Sequence, residues 1–216
     1  MTVTITAFDW VPEFARGQVR DLRVRWALEE AGVEYAERLF DPREPRPASY
    51  LDQQPFDQVP VYSDGALSLF ETGAIVLHIG ERCETLLPAD PIERARATAW
   101  MFAALNSVEP TFQQLASIDL FHVGQAWTTE RRPQLIDMVN GKLGRLDARL
   151  ARDNESREWL EERFTAGDLM MTTVLRVIGH AGLVACFPRV AAYQARTEAR
   201  PAFGRALAAQ LAAFKE

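Results

Sequence analysis

The start of the chain changes its hydrophobic periodicity twice. Residues 3–7 carry apolar side chains at every second position, which predicts a first strand. Between residues 19 and 28 the apolar side chains recur at helical spacing with charged residues between them, and Gly32 favours the end of this helix. Residues 34–40 alternate again. The chain is therefore predicted to begin as a strand, a helix and a second strand.

A hairpin followed by a helix is predicted next. Two short apolar segments, 59–62 and 67–70, flank an Asp-Gly pair at 64–65, which is a strong hairpin signal because glycine tolerates the positive φ of tight turns. Pro60 lies in the first segment, where it cannot donate a ladder hydrogen bond. Thr72 is the predicted cap of the helix, whose first N–H groups favour an anion. Taken alone, an ordinary hairpin and a capped helix are the simpler interpretation of this stretch.

The rest of the chain is helical in its periodicity. Residues 86–91 contain two prolines and are the predicted linker. Residues 92–114 and 135–152 each carry a broad apolar face at the spacing of an amphipathic helix. We therefore predict an α/β domain over residues 1–85 and an all-α domain over residues 92–216.

Composition then narrows the classes of function. The net charge is −6 and the arginines are scattered among carboxylates, so we expect no nucleic-acid partner. The two cysteines, Cys83 and Cys186, are far apart and have no neighbouring histidine, which argues against a disulfide framework and a metal site. No apolar run approaches the roughly 18 residues that span a bilayer. The N-terminus also lacks the charged region of a signal peptide. We expect a cytoplasmic protein with no membrane partner.

Several motifs in this chain resemble those of the cytosolic glutathione S-transferase superfamily. Residues 24–32 (VRWALEEAG) are similar to the end of the family's first helix, and residues 54–60 (QPFDQVP) resemble its Asn-Pro-x-Gly-(Lys/Arg/Gln)-Val-Pro motif. Residues 71–75 (ETGAI) resemble its Glu-Ser-x-Ala-Ile motif. Gly167-Asp168 resembles the capping region of its buried central helix, and Arg200-Pro201 the start of its last helix. The order and spacing of these motifs cover nearly the whole chain.

The resemblance implies a fold and an activity. The fold is a thioredoxin-like α/β N-terminal domain followed by an all-α C-terminal domain, with a cis peptide bond before Pro60. The activity is that of a bacterial-type glutathione S-transferase, a homodimer that uses glutathione as co-substrate, without a metal, and conjugates or reduces a small electrophile. The alternative is a non-catalytic binding or regulatory protein of the same fold. Neither the class nor the electrophile is indicated.

The resemblance also assigns a set of glutathione-binding residues: Gln58, Val59, Pro60, Glu71 and Thr72. Glu71 is expected to bind the ammonium group of the γ-glutamyl end, and Thr72 with the helix N-terminus its carboxylate. The backbone of Val59 is expected to pair with the cysteinyl amide as an added strand does. Gln58 is expected to reach the glycyl end. Arg46 either joins it or is a solvated cation of the loop.

The group that stabilises the thiolate is less clear from the sequence. Family members usually place Tyr, Ser or Cys at the end of the first strand or the start of the first helix, but residues 7–32 contain no Ser, Tyr, Thr or Cys. The catalytic candidates are Arg20 and Gln18, with Arg16 and the backbone N–H groups of the helix start as further possibilities. Arg20 is preferred because a fixed cation near sulfur lowers its pKa. An exposed residue in the first turn is the alternative role for Arg20.

Overall fold

The structure is a computed structural model that describes residues 2–65, 67–151 and 157–215. Ala66 in the predicted turn and Arg152 at the end of a predicted helix lie outside these residues. The strands are β1 Val3–Phe8, β2 Tyr35–Phe40, β3 Tyr62–Ser63 and β4 Ser68–Leu69. The helices are α1 Asp21–Ala31, α2 Ala48–Leu51, α3 Thr72–Gly80, α4 Pro91–Phe102, α5 Glu109–Ala116, α6 Ala126–Leu150, α7 Ala166–Arg176, α8 Pro188–Glu198 and α9 Pro201–Ala212. Within the described ranges, no helix combines the length and apolarity needed to cross a bilayer.

The chain divides into two compact units. Residues 1–89 and 200–216 form the first, and residues 90–199 form the second. The sequence-based division into 1–85 and 92–216 differs from this grouping at the C-terminus, where α9 joins the first unit. As a division into functional domains it stays a prediction.

The first unit contains a mixed sheet with the strand order β2-β1-β3-β4. β1 runs parallel to β2, so that residues 3–8 lie opposite residues 35–40. β3 is antiparallel to β1 and to β4. A parallel pair connected through α1 and followed by an antiparallel hairpin is the thioredoxin-like arrangement that the motifs imply. The strand predicted over 59–62 is shorter in the structure, because β3 begins at Tyr62, and Pro60 therefore precedes the strand.

α9 completes the core of the first unit. The fully buried Trp26 of α1 meets Phe203 of α9 edge to face, with ring centroids 4.9 Å apart. Next to this contact, the carboxylate of Glu30 accepts two hydrogen bonds from the guanidinium of Arg200, at 2.6 and 2.7 Å. Such a bidentate pair fixes orientation as well as distance. The last helix is therefore a structural part of the sheet-containing unit.

The second unit is helical, and α4 and α7 approach each other closely within it. The carboxylate of Asp90 caps α4 by accepting hydrogen bonds from the N–H groups of Ile92 and Glu93, both at 2.9 Å. Gly167 lies at the start of α7, where a Cβ atom would come within 2.6 Å of the Cβ of Trp100. Only glycine fits at this crossing.

The buried helix α7 begins with a capping box that the motif comparison did not identify. Thr165 is the cap, because its hydroxyl accepts a hydrogen bond from the N–H of Gly167 at 3.2 Å. Asp168, part of the Gly167-Asp168 pair that resembles the family's capping region, is not the cap itself. It lies three residues after Thr165 and accepts a hydrogen bond from the N–H of Thr165 at 2.9 Å. The Thr-x-x-Asp spacing carries this signal in the sequence.

Asp168 is fully buried among hydrogen-bond donors. Its carboxylate also accepts hydrogen bonds from the N–H of Leu160 at 2.9 Å and from the hydroxyl of Tyr193 at 3.0 Å. Burial raises the pKa of Asp168 from 3.8 to about 6, although these donors act in the opposite direction.

We predict that Asp168 makes stability depend on pH between about 4 and 6. An acid with a higher pKa in the folded state holds its proton more tightly there. Its contribution to stability is therefore fully present below the unfolded pKa and is lost as the pH rises through the folded one. The shift corresponds to about 3 kcal/mol at most. Urea unfolding of the wild type and of Asp168→Asn from pH 4 to 7 measures this change. A pH-independent difference between the two proteins would contradict the raised pKa.

Candidate functional site

The peptide bond between Val59 and Pro60 is cis, as the resemblance implies. Val59 itself is buried, with 6% of its surface exposed. Within the described residues, neither its backbone N–H nor its carbonyl has a hydrogen-bond partner. Both groups are therefore available to an extended ligand backbone, because a strand-like partner needs one free donor and one free acceptor.

Two residues that the sequence analysis did not identify hold this loop in place. The N–H of Val61 donates to the hydroxyl oxygen of Thr6 at 2.7 Å, and the hydroxyl of Tyr50 donates to the carbonyl of Gln58 at 2.7 Å. The Thr6 and Tyr50 hydroxyls lie 2.9 Å apart. A carbonyl can only accept, so the single hydroxyl hydrogen of Tyr50 is donated to the Gln58 carbonyl. The Thr6 hydroxyl must therefore be the donor to the Tyr50 oxygen. The loop is thus fixed on both sides of Pro60.

Arg46 stabilises the loop before Pro60 through Asp57 and is not a solvated cation. Its side chain is only 11% exposed, and its Nε lies 2.5 Å from Oδ1 of Asp57. Its guanidinium also donates to the Asp57 carbonyl and lies 5.5 Å from the ring centroid of Phe8. The hydrogen bond from Arg46 lowers the pKa of Asp57. A role for Arg46 at the glycyl end stays a prediction.

The start of α3 differs from the prediction. Glu71 precedes the helix at φ +67°, and Thr72 is its first residue, so Thr72 is not the cap. A non-glycine residue at positive φ costs ~1–3 kcal/mol and is most often found at functional sites. Within the described residues, the N–H groups of Thr72, Gly73 and Ala74 have no hydrogen-bond partner, nor does the exposed Glu71 carboxylate. The helix start therefore presents free donors beside a free carboxylate.

A buried arginine supports Thr72. Arg23 of α1 donates from Nη1 to the Thr72 hydroxyl oxygen at 3.2 Å, and both side chains are buried. Since the oxygen accepts from the guanidinium, the hydroxyl hydrogen of Thr72 is directed elsewhere. Sequence analysis missed Arg23 because its charge gives no sign that it is buried.

The loop before α1 brings the first catalytic candidate to the predicted binding residues. Nη1 of Arg20 donates to Oε1 of Gln58 at 3.4 Å, which joins the two segments. Gln18 is exposed, and the structure gives its side chain no hydrogen bond within the described residues. Arg16 reaches the carbonyl of Lys215 at 3.4 Å and is therefore directed toward the C-terminal segment. Across the described ranges, no three His, Cys, Asp or Glu side chains are grouped to hold a metal ion.

We predict that Tyr50 and Thr6 stabilise the loop as one hydrogen-bonded unit. Tyr50→Phe removes the donor to the Gln58 carbonyl and the acceptor of the Thr6 hydroxyl, so the free energy of unfolding should fall by about 1–2 kcal/mol. A double-mutant cycle with Thr6→Val, measured by denaturant unfolding, should show a coupling above about 0.5 kcal/mol. Additive effects of the two substitutions would refute the ordered chain of donors.

Sequence comparison places the chain among known proteins. The family model described as Glutathione S-transferase, N-terminal domain, matches residues 14–81. Glutathione S-transferase 4 of Zea mays is 30% identical over 197 residues, which covers 83% of this chain and 83% of that protein.

Solved structures give the same result. A glutathione transferase from Burkholderia graminis, with two glutathione molecules bound per subunit, has a TM-score of 0.80 at 26% identity and covers 95% of this chain and 87% of its own. Ure2p in complex with glutathione has a TM-score of 0.81 at 23% identity, with 96% and 93% covered, a likeness that shows the fold alone; it is a yeast prion protein. The likeness to the maize enzyme over most of both chains settles the family: this chain belongs to the glutathione S-transferases.

Proposed function

We propose that this protein binds glutathione at the site formed by the Val59–Pro60 loop and the start of α3, and that it is a glutathione transferase acting on small electrophiles. One observation carries the proposal: among the described residues, the N–H and carbonyl of Val59 have no hydrogen-bond partner, and neither do the first N–H groups of α3 and the Glu71 carboxylate. The glutathione bound in the Burkholderia graminis structure supports the same assignment.

Each end of glutathione has a matching group in this site. The ammonium of the γ-glutamyl end pairs with Glu71, and its carboxylate accepts hydrogen bonds from the Thr72 hydroxyl and the N–H groups at the start of α3. The cysteinyl backbone pairs with the N–H and carbonyl of Val59, beside Pro60. Gln58 contacts the glycyl end. This docking leaves the thiol facing the loop that carries Gln18 and Arg20.

The chemistry requires the thiol to lose its proton. An ordinary thiol has a pKa of about 8.5, and lowering it by two units takes about 2.7 kcal/mol of preferential stabilisation of the anion. Arg20 supplies a cation for this purpose, and the Gln18 amide is the second candidate. The proton goes to solvent. The sulfur electron pair then forms a carbon–sulfur bond with the electrophile, and the pair from the bond that breaks leaves with the leaving group.

A non-catalytic glutathione-binding role is the second candidate. It is favoured by the lack of Ser, Tyr, Thr and Cys in residues 7–32, the segment where family members usually carry the group that activates the thiol. The fold shared with Ure2p is compatible with it. A homodimer in the cytoplasm is part of the proposal and rests on the family resemblance.

We predict that Glu71 contributes directly to glutathione affinity. Glu71→Gln removes the charge that pairs with the ligand ammonium, and the dissociation constant should rise about tenfold. Isothermal titration calorimetry measures this, with Glu81→Gln at the far end of α3 as a control that keeps wild-type affinity. Absence of any heat from the wild type at millimolar glutathione would sink the proposed function itself.

We predict that Arg20 lowers the pKa of the bound thiol. In Arg20→Ala this pKa should rise by about one unit, because the cation beside the sulfur is lost. The ultraviolet absorbance of the thiolate, followed against pH in the glutathione complex, gives the value. Gln18→Ala is the comparison: a rise there and none in Arg20→Ala would move the role to Gln18. No rise in either variant would leave the backbone N–H groups as the stabilising donors.

A further inference from the structure

The loop that carries Gln18 and Arg20 is held by the last helix of the chain. Gln210 of α9 is 1% exposed, and its amide nitrogen lies 3.1 Å from the carbonyl oxygen of Val19 and 2.7 Å from Oδ1 of Asp21. One side chain thus donates to the residues on both sides of Arg20. Their backbone positions depend on a residue nearly two hundred positions away in sequence.

Gln210 uses its amide group only as a donor. Within the part of the chain that the structure describes, its Oε1 atom is buried without a hydrogen-bond partner. Burying an acceptor without a partner costs free energy, and an apolar side chain of similar length avoids that cost. Packing of α9 therefore does not by itself account for a glutamine here, whereas the two donated hydrogen bonds do.

The partner of Gln210 is itself fixed. The buried Asp21 accepts a hydrogen bond on Oδ2 from Nε of Arg25 at 2.6 Å, and Arg25 also donates to Glu37 on β2. Desolvation raises the pKa of Asp21, while the hydrogen bonds from Arg25 and Gln210 lower it and favour the carboxylate form. The other end of the loop is held as well, because the N–H of Lys215 donates to the carbonyl of Asp9 at 2.7 Å.

We propose that Gln210 is a positioning residue for the thiolate: by fixing Val19 and Asp21 it holds Arg20 where the guanidinium stabilises the glutathione sulfur. The inference rests on the proposed function and goes beyond it, because it assigns a part of the site to α9. Among the described residues, the hydrogen bonds of Gln210 go to Val19 and Asp21 and none goes to α3 or to Glu71 before it. Loss of the two Gln210 hydrogen bonds therefore raises the pKa of the thiol and leaves the docking of the γ-glutamyl end in place.

Two substitutions of Gln210 test whether its hydrogen bonds position Arg20. Gln210→Met keeps the length of the side chain and removes both donated hydrogen bonds. Gln210→Lys keeps a nitrogen donor at this position, without an acceptor, and places a cation beside Asp21. Arg205→Met is the matched control, since Arg205 lies on the same helix and pairs with Glu29 at 2.6 Å instead of with the loop. If Gln210→Met does not fold, Gln210→Ser replaces it, being too short to reach both acceptors.

The readouts are the pKa of the bound glutathione thiol, glutathione affinity by calorimetry, and the thermal unfolding of each protein. We expect Gln210→Met to raise the thiol pKa by about half to one unit and to change the dissociation constant less than about twofold. Arg205→Met should keep the wild-type thiol pKa, and Gln210→Lys, which retains a donor, should not raise it. A Gln210→Met protein that is less stable but has an unchanged thiol pKa overturns the inference and leaves the proposed function standing. A wild type that does not bind glutathione overturns both.

Discussion

The hydrogen-bond chain from Val61 through Thr6 and Tyr50 to Gln58 is the constraint on which the candidate site depends. It ties the loop around Pro60 to the central strand β1, so that the free backbone groups of Val59 have a fixed direction. Without these hydrogen bonds the loop would lose conformational entropy when a ligand binds. That loss would make the binding free energy less favourable. The sheet thus acts as the rigid support of the candidate surface for recognising a ligand backbone.

The polar groups of the candidate site are oriented by other parts of the protein, namely two arginine side chains and the backbone of α3. Arg23 accounts for the direction of the Thr72 hydroxyl, Arg46 for the shape of the loop at Asp57, and the helix for three parallel N–H groups. Because Arg23 and Arg46 are themselves held by hydrogen bonds within the protein, the groups that they orient are already in place before a ligand binds. Each arginine acts here through geometry as much as through charge.

Hydrophobic periodicity was sufficient to predict an α/β part followed by helices, because alternating and helical patterns do not depend on distant residues, but it did not predict that α9 joins the first unit. The sequence also directed attention to the Val59–Pro60 loop and the Glu71–Thr72 helix start, whose motifs are local and whose role in binding stays a prediction. The sequence did not predict the roles of Thr6, Tyr50 and Gln210. Each forms a hydrogen bond with a residue far along the chain, and the residues next to it in sequence give no sign of that contact. Arg46 was misjudged for a related reason: a charged residue in a proline-rich loop is usually solvated, and its burial became visible only with the rings around it.

The membership of α9 in the first unit has a consequence for how the protein is made. The ring of Trp26 is covered by Phe203, and Glu30 is paired by Arg200, yet the whole second unit is translated between them. At roughly 5–20 residues per second, the ribosome leaves this apolar face of the sheet-containing unit without its helix for about 5–20 s. The helical unit is synthesised in that interval. The nascent chain therefore passes through a state in which the sheet-containing unit still exposes a core tryptophan while most of the helical unit has already been made.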